Sequence, residues 1–154
     1  MLNYTHLEGR AYIPGSVHCY QLVRDLYRDN FGIELRNYAI PTDWNGGPLK
    51  LIDWAWEREG FYKVADWQSR GLQPGDLLAM SIRTKTPNHL GVYMGEDVVF
   101  HHPYGQPAKA ERMRNFWRMV TCYVLRHPDV PNLTQAQPNI SIKELASGRY
   151  AVEA

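Results

Sequence analysis

The sequence predicts a single α+β domain: an amphipathic helix near the N-terminus, a second helical stretch between Gly- and Pro-rich turns, and then short apolar runs separated by turn signals. Its 154 residues suit one core. With 44% hydrophobic and 21% charged residues, the composition is that of a water-soluble globular chain. A chain of this size buries about two-thirds of the surface it exposes when unfolded, so it needs neither disulfides nor a structural metal to fold.

From Cys19 to Asn30, the residues Cys19, Leu22, Val23, Leu26 and Tyr27 recur at three- and four-residue steps, with Gln21, Arg24, Asp25 and Arg28 on the other face. Pro14-Gly15-Ser16 precedes this helix and Gly32 supplies a C-cap. Residues 41–48, PTDWNGGP, form a loop long enough to act as a rim, after which Leu49, Ile52, Ala55 and Trp56 predict a second helix ending at Gly60. Gln73-Pro74-Gly75-Asp76 is a turn that introduces strands at 77–82, 89–94 and 98–102. A Trp-bearing segment at 114–118 separates them from a last apolar run, Val120 to Leu125. The organisation expected is a domain over 1–127 followed by a Pro-rich linker and short helix over 128–154, opened by the capping box Ser141 to Glu144.

Seventeen basic and sixteen acidic side chains give a formal charge of +1 without long runs of either sign, so nucleic acid is not an expected partner. No stretch approaches 18 consecutive apolar residues, and Asn3, Thr5, His6, Glu8 and Arg10 interrupt the start as no export signal would allow. Neither a membrane span nor a leader is expected, and the chain is expected to be made in a cytoplasm.

A Cys at a helix N-terminus feels the positive end of the helix dipole, which favours the thiolate. Acyl transfer by such a thiol needs a base within hydrogen-bond reach and a third polar group to orient that base. His89 opens the run HLGVYM, whose alternation puts His89, Gly91 and Tyr93 on one face and Leu90, Val92 and Met94 on the other. Gly95-Glu96-Asp97 then turns the chain back toward His101 and His102. An odd-numbered hairpin loop places His101 on the His89 face and an even-numbered one places His102 there, so either can be the third group. The Cys19 backbone N–H and a neighbouring one would form the oxyanion hole. Cys122, within an apolar run, is expected to be a buried inert thiol, and Trp54, Trp56, Trp67 and Trp117 to be packing anchors, whereas Trp44 in the Gly-rich loop can line a cleft.

The blocks GRAYIPG at 9–15, HCYQLVRDLY at 18–27, LQPGDLL at 72–78, NHLGVYMG at 88–95 and VFHH at 99–102 resemble, in this order, the NlpC-type cell-wall cysteine peptidases, and more narrowly their tailed-phage, tail-assembly branch. The resemblance runs from about Leu7 to His127. It implies a papain-like fold in which the nucleophile heads a helix packed on a small antiparallel sheet or barrel. The implied activity cleaves γ-D-glutamyl to diamino-acid bonds of peptidoglycan stem peptides. Position by position, Cys19 matches the nucleophile, His89 the base and His101 the third polar residue, and Tyr12 lies near an upstream aromatic of the substrate pocket. His18 stands where the family commonly carries an Asp that shapes stem-peptide recognition, and Pro14 where an aromatic is often found. No cofactor or metal is implied. The implied partners are the stem peptide and other phage tail proteins, and the implied location is a virion tail acting at the cell wall.

Two other readings use the same residues. One is a structural tail-tip protein that keeps the fold without turnover. The other is a Zn site built from His18, Cys19, His89 and His101 or His102, although no pair has the close spacing of common metal motifs.

Overall fold

A computed structural model describes residues 2–133. Among these residues are four helices, α1 (Cys19–Phe31), α2 (Lys50–Arg58), α3 (Trp67–Arg70) and α4 (Arg114–Val120). The six strands are β1 (Tyr62–Lys63), β2 (Leu77–Met80), β3 (His89–Gly95), β4 (Val98–His101), β5 (Lys109–Arg112) and β6 (Thr121–Arg126). They form one antiparallel sheet in the order β1-β6-β2-β3-β4-β5. The chain folds as the α+β domain expected, but the sheet is open: β1 and β5 lie at opposite edges, so the barrel named with the sheet in the implied fold does not close.

Helix α1 lays the predicted stripe on the centre of the sheet. Leu22, Val23, Leu26 and Tyr27 are buried against Leu77, Ala79, Leu90, Val92, Phe100 and Leu125. The opposite face of the sheet is covered too, because Leu78, Met80, Val99 and Val124 pack with Trp67 and Met113. That two-sided burial explains why β2 reads as a continuous apolar run rather than an alternating one. The helix ends at Gly32 in the left-handed region (φ 66°), where the N–H of Gly32 bonds Arg28 O and that of Ile33 bonds Tyr27 O, closing the last turn.

The turn before β2 is held from three sides. Asp76, 2% exposed, accepts two bonds of 2.8 Å from Arg126 and one from the Gln73 N–H, and Tyr27 donates its hydroxyl proton to Gly75 O. A paired, hydrogen-bonded carboxylate of this kind is costly to break from one side, since the remaining charge would stay buried. Gly75 has φ 98°, and a Cβ there would come within 2.9 Å of Val130.

β1, β5 and α3 were not predicted. β1 has two residues, α3 is a single turn, and β5 (KAER) has no apolar run to signal it. Past His127, Val130 and Leu133 pack against the main core, so the first part of the Pro-rich stretch lies on the domain. The expected helix at Ser141 to Glu144 falls outside the described residues. A chain cut after His127 should therefore be less stable than one cut after Leu133 by about 1–2 kcal/mol, the worth of two partly buried aliphatic side chains. Urea denaturation of the two truncated proteins measures this difference, and equal midpoints would contradict it.

Candidate active site

The turn at Pro14-Gly15-Ser16 is closed by the bridge between Ile13 and Val17, and it delivers His18 in extended backbone (φ −146°, ψ −173°) to the start of α1. His18 is the N-cap: its Nδ1 accepts from the Gln21 N–H at 3.3 Å, a role usually taken by Asp, Asn, Ser or Thr. The ring is 3% exposed, and burial, with Arg10 and Arg24 nearby, lowers its pKa to about 4. It is neutral at physiological pH, as an accepting nitrogen must be. Cys19 is the next residue, at the first position of the helix.

The β3–β4 hairpin decides which histidine joins His89. Glu96 and Asp97 occupy its tip, both with positive φ (51° and 62°), between the paired residues Gly95 and Val98. A two-residue turn continued without interruption would set His101 opposite Val92 and His102 opposite Gly91. A bulge at Met94 shifts the register by one: Tyr93 pairs with Val99, and Gly91 pairs with His101. His101 thus shares a face with His89, and the two rings bond through His89 Nε2 and His101 Nδ1 at 2.8 Å. Gly91 is required beneath this pair, because a Cβ would lie 2.7 Å from Val99 and 3.0 Å from Met80.

His101 Nε2 lies 2.6 Å from Glu111 Oε2, and the edge of Trp117 meets the His101 ring with centroids 4.6 Å apart. Neither neighbour was anticipated. Glu111 sits on the unpredicted strand β5, and Trp117 was expected to be a packing anchor only.

Cys19 and His89 line one cleft of about 710 Å³ with His102, Trp44, Tyr104 and Trp117. Trp44 therefore stands where the loop reading placed it, whereas His18 and Tyr12 are not among the lining residues. Tyr12 packs behind the wall in a run of edge-to-face rings, His102 to Tyr12 to Tyr104 to Trp44, with centroids 5.3–5.4 Å apart. Asn88, just before His89, was also missed. Its amide donates to Gly46 O (2.7 Å) and Ile82 O (3.0 Å) and accepts from Ile82 N–H (2.8 Å), tying the Gly-rich rim to the connection into β3. Trp54 is 44% exposed, with the Arg58 guanidinium over its ring. Cys122, expected to be buried, is exposed and lies 2.9 Å from Ser81 Oγ: it is the extra residue at the register shift between β2 and β6, where Tyr123 pairs with Ala79 and Thr121 with Met80.

The helix dipole does not dominate at Cys19. The residue is 3% exposed, and burial pushes its thiol up to about 11, although the backbone N–H groups of Leu90, Tyr20 and Cys19 itself face the sulfur and act in the other direction. Burial likewise holds His89 well below its ordinary value, lowers His101 to about 3 with help from Lys109 and His102, and lowers His102 to about 4. Burial thus favours the uncharged thiol at Cys19 and the uncharged ring at His89, against the thiolate that helix position alone suggests. Among the described residues no group of three or more His, Cys, Asp or Glu side chains has the geometry to hold a metal ion, and no helix is long and apolar enough to cross a membrane.

Cys19 at the head of α1 and His89 at the start of β3 line one cleft, with His89 bonded to His101, and the chain belongs to the NlpC/P60 family, whose model matches residues 8–126. It is similar to the tail tip assembly protein K of Escherichia phage lambda, 36% identical over 124 residues, which are 79% of this chain and 59% of that protein. It is also similar to the tail tip assembly protein K of Escherichia phage N15, 28% identical over 123 residues, 79% of this chain and 49% of that protein. The chain thus spans between about half and three-fifths of the curated relatives it matches.

The buried histidines make stability pH-dependent. A folded-state pKa below the unfolded value of about 6.5 means that the unfolded chain takes up the proton first, so stability is full above that value and falls as pH drops toward the folded pKa. His18, His89, His101 and His102 all shift in this direction. For His18 and His102 the window runs from about 6.5 down to about 4 and for His101 down to about 3, at about 1.4 kcal/mol per pH unit each, and His89 adds to the loss in the same direction. Unfolding free energies from denaturant titrations are expected to fall by several kcal/mol from pH 7 to pH 5, and a flat profile would show that folding does not lower these pKa values.

Proposed function

We propose that the chain is a phage tail-associated cysteine peptidase that hydrolyses amide bonds of peptidoglycan stem peptides. The bond envisaged joins a γ-D-glutamyl acyl group to a diamino acid. The observation that carries this reading is the cleft shared by Cys19 and His89, with His89 bonded behind its wall to the buried His101. His89 Nε2 is engaged by His101, so Nδ1 is the nitrogen left for the sulfur. The Cys19 proton passes to His89 as the sulfur attacks the scissile carbonyl, and backbone N–H groups at the start of α1 stabilise the oxyanion. The amine leaves with the proton from His89, giving a thioester. Water then loses a proton to His89, adds to the thioester, and releases the carboxylic acid and the thiol.

The cleft lining supports an anionic substrate. Among the described residues, Arg83 is its one charged side chain and no carboxylate lines it. With a neutral His18 in place of an acidic residue, recognition of a cationic amine has no partner here, whereas stem-peptide carboxylates have Arg83. The names of the phage relatives support a place in tail tip assembly, with other tail proteins as partners; synthesis in the bacterial host and action at the cell wall belong to the same proposal.

The test is digestion of purified peptidoglycan with muropeptide analysis by mass spectrometry, beside a Cys19→Ala control. Cys19→Ala and His89→Ala are expected to abolish cleavage, with a loss of at least about 10³-fold. His101→Ala should cost less than His89→Ala and more than His102→Ala, and Arg83→Ala should raise KM by about tenfold with a smaller effect on kcat. Chelators should leave activity intact and thiol alkylation should stop it. A wild-type chain that matches Cys19→Ala would establish instead the structural tail-tip reading, which the deep burial of Cys19 favours.

A further inference from the structure

Three side chains on three consecutive strands form one chain of hydrogen bonds: His89 on β3, His101 on β4 and Glu111 on β5. In the β4–β5 register Glu111 is opposite Val99, so it is diagonal to His101 on the same face, just as His89 is diagonal to His101 across β3 and β4. We propose that Glu111 is a positioning residue that fixes where the protons sit on both histidines, leaving His89 Nδ1 free to take the Cys19 proton. This deepens the peptidase reading and rests on it for its functional meaning.

The proton order follows from the inventory of donors and acceptors. A carboxylate only accepts, so His101 Nε2 must carry the hydrogen of the 2.6 Å bond. A neutral imidazole has one N–H, so His101 Nδ1 is an acceptor. The 2.8 Å bond to it then needs the hydrogen on His89 Nε2. With that nitrogen occupied, a neutral His89 presents a bare Nδ1. The reverse order, with N–H on both Nδ1 atoms, would satisfy the His89 to His101 bond equally well and would leave the base unable to accept a proton. Only an obligate acceptor beyond His101 separates the two. The same carboxylate stabilises the imidazolium formed on His89, since one neutral ring lies between them and Trp117 shields that ring.

Among the described residues Glu111 is the only such group. Besides His89 and Trp117, the charged or titratable neighbours acting on His101 are Lys109, whose Nζ is 3.8 Å from Glu111 Oε2, and His102. Lys109 is a donor, and it is held by Gln106 at 2.9 Å. His101 is fully buried, so water does not substitute as the acceptor at its Nε2.

Two measurements, made on the full chain carrying Cys122→Ser so that Cys19 is the remaining thiol, test the proposal without needing hydrolysis. Long-range ¹H–¹⁵N correlation spectra of the imidazoles at pH 7.5 should show His89 and His101 both as the Nε2–H tautomer. An Nδ1–H tautomer at either ring in the otherwise wild-type protein overturns the proposal, whatever the folding of any variant. The second measurement is the rate of Cys19 alkylation by iodoacetamide from pH 6 to 9. Glu111→Ala should mix the tautomers and slow alkylation at pH 7 by about tenfold. Glu111→Gln, whose amide oxygen still accepts, should recover part of the rate. Unchanged tautomers and an unchanged pH profile in Glu111→Ala would also overturn it. Failure of the wild-type chain to cut peptidoglycan would remove the peptidase reading and leave the tautomer assignment standing.

Discussion

The one-residue register shift at Met94 is the constraint on which the site depends. Without it the hairpin tip, Glu96 and Asp97, would bring His102 rather than His101 to the face of His89. The shift sets a whole row, because side-chain direction alternates along a strand and each strand takes its register from the last. Val99 and His101 turn toward Met80 and Trp117, Phe100 turns toward α1, and Glu111 is delivered by the next ladder to the same side as His101. Gly91 is the other half of the constraint, since the space that a Cβ would need is already filled by Val99 and Met80.

Burial then governs the electrostatics. The N-terminus of α1 offers backbone N–H groups to the Cys19 sulfur, and in water that would favour a thiolate, but the closed surroundings favour the uncharged form by more. The same surroundings keep four histidines neutral. For His18 the neutral state is structural, because a protonated ring could not accept from Gln21 N–H and α1 would lose its cap. For His89 it is what the proposed role of base requires, because only a neutral ring can receive a proton. One property of the interior thus serves the helix start and the proposed base together.

What could be read in the sequence, and what could not, divides by the range of the interaction. The α1 stripe, the turn at Gln73 to Asp76 and the strands around His89 and His101 are carried by local periodicity and turn chemistry, and each appears close to where it was expected. Spacing left His101 and His102 open, because the shift that separates them involves no distinctive residue: Met94 is an ordinary strand residue. Only the family resemblance favoured His101. β5 was missed because an edge strand of alternating charges has no apolar signal, and Glu111 was missed with it. Cys122 was misplaced because an apolar run does not reveal the register shift that leaves Cys122 unpaired between Thr121 and Tyr123. The N-cap role of His18 was hidden by residue type.

Glu111 is carried by the sheet's outermost strand. β5 pairs with β4 on one side, and on the other only Ala108, just before it, meets the N-terminal arm at Gly9 and Arg10. Lys109, Glu111 and Arg112 suit such an edge, since charged side chains discourage pairing with another chain. A strand secured along one side has fewer bonds to lose than the central strands, so its amides should exchange with solvent sooner than those of β2 or β3. The histidine pair is therefore rooted in strands paired on both sides, whereas the carboxylate beyond it rides on a strand paired along one.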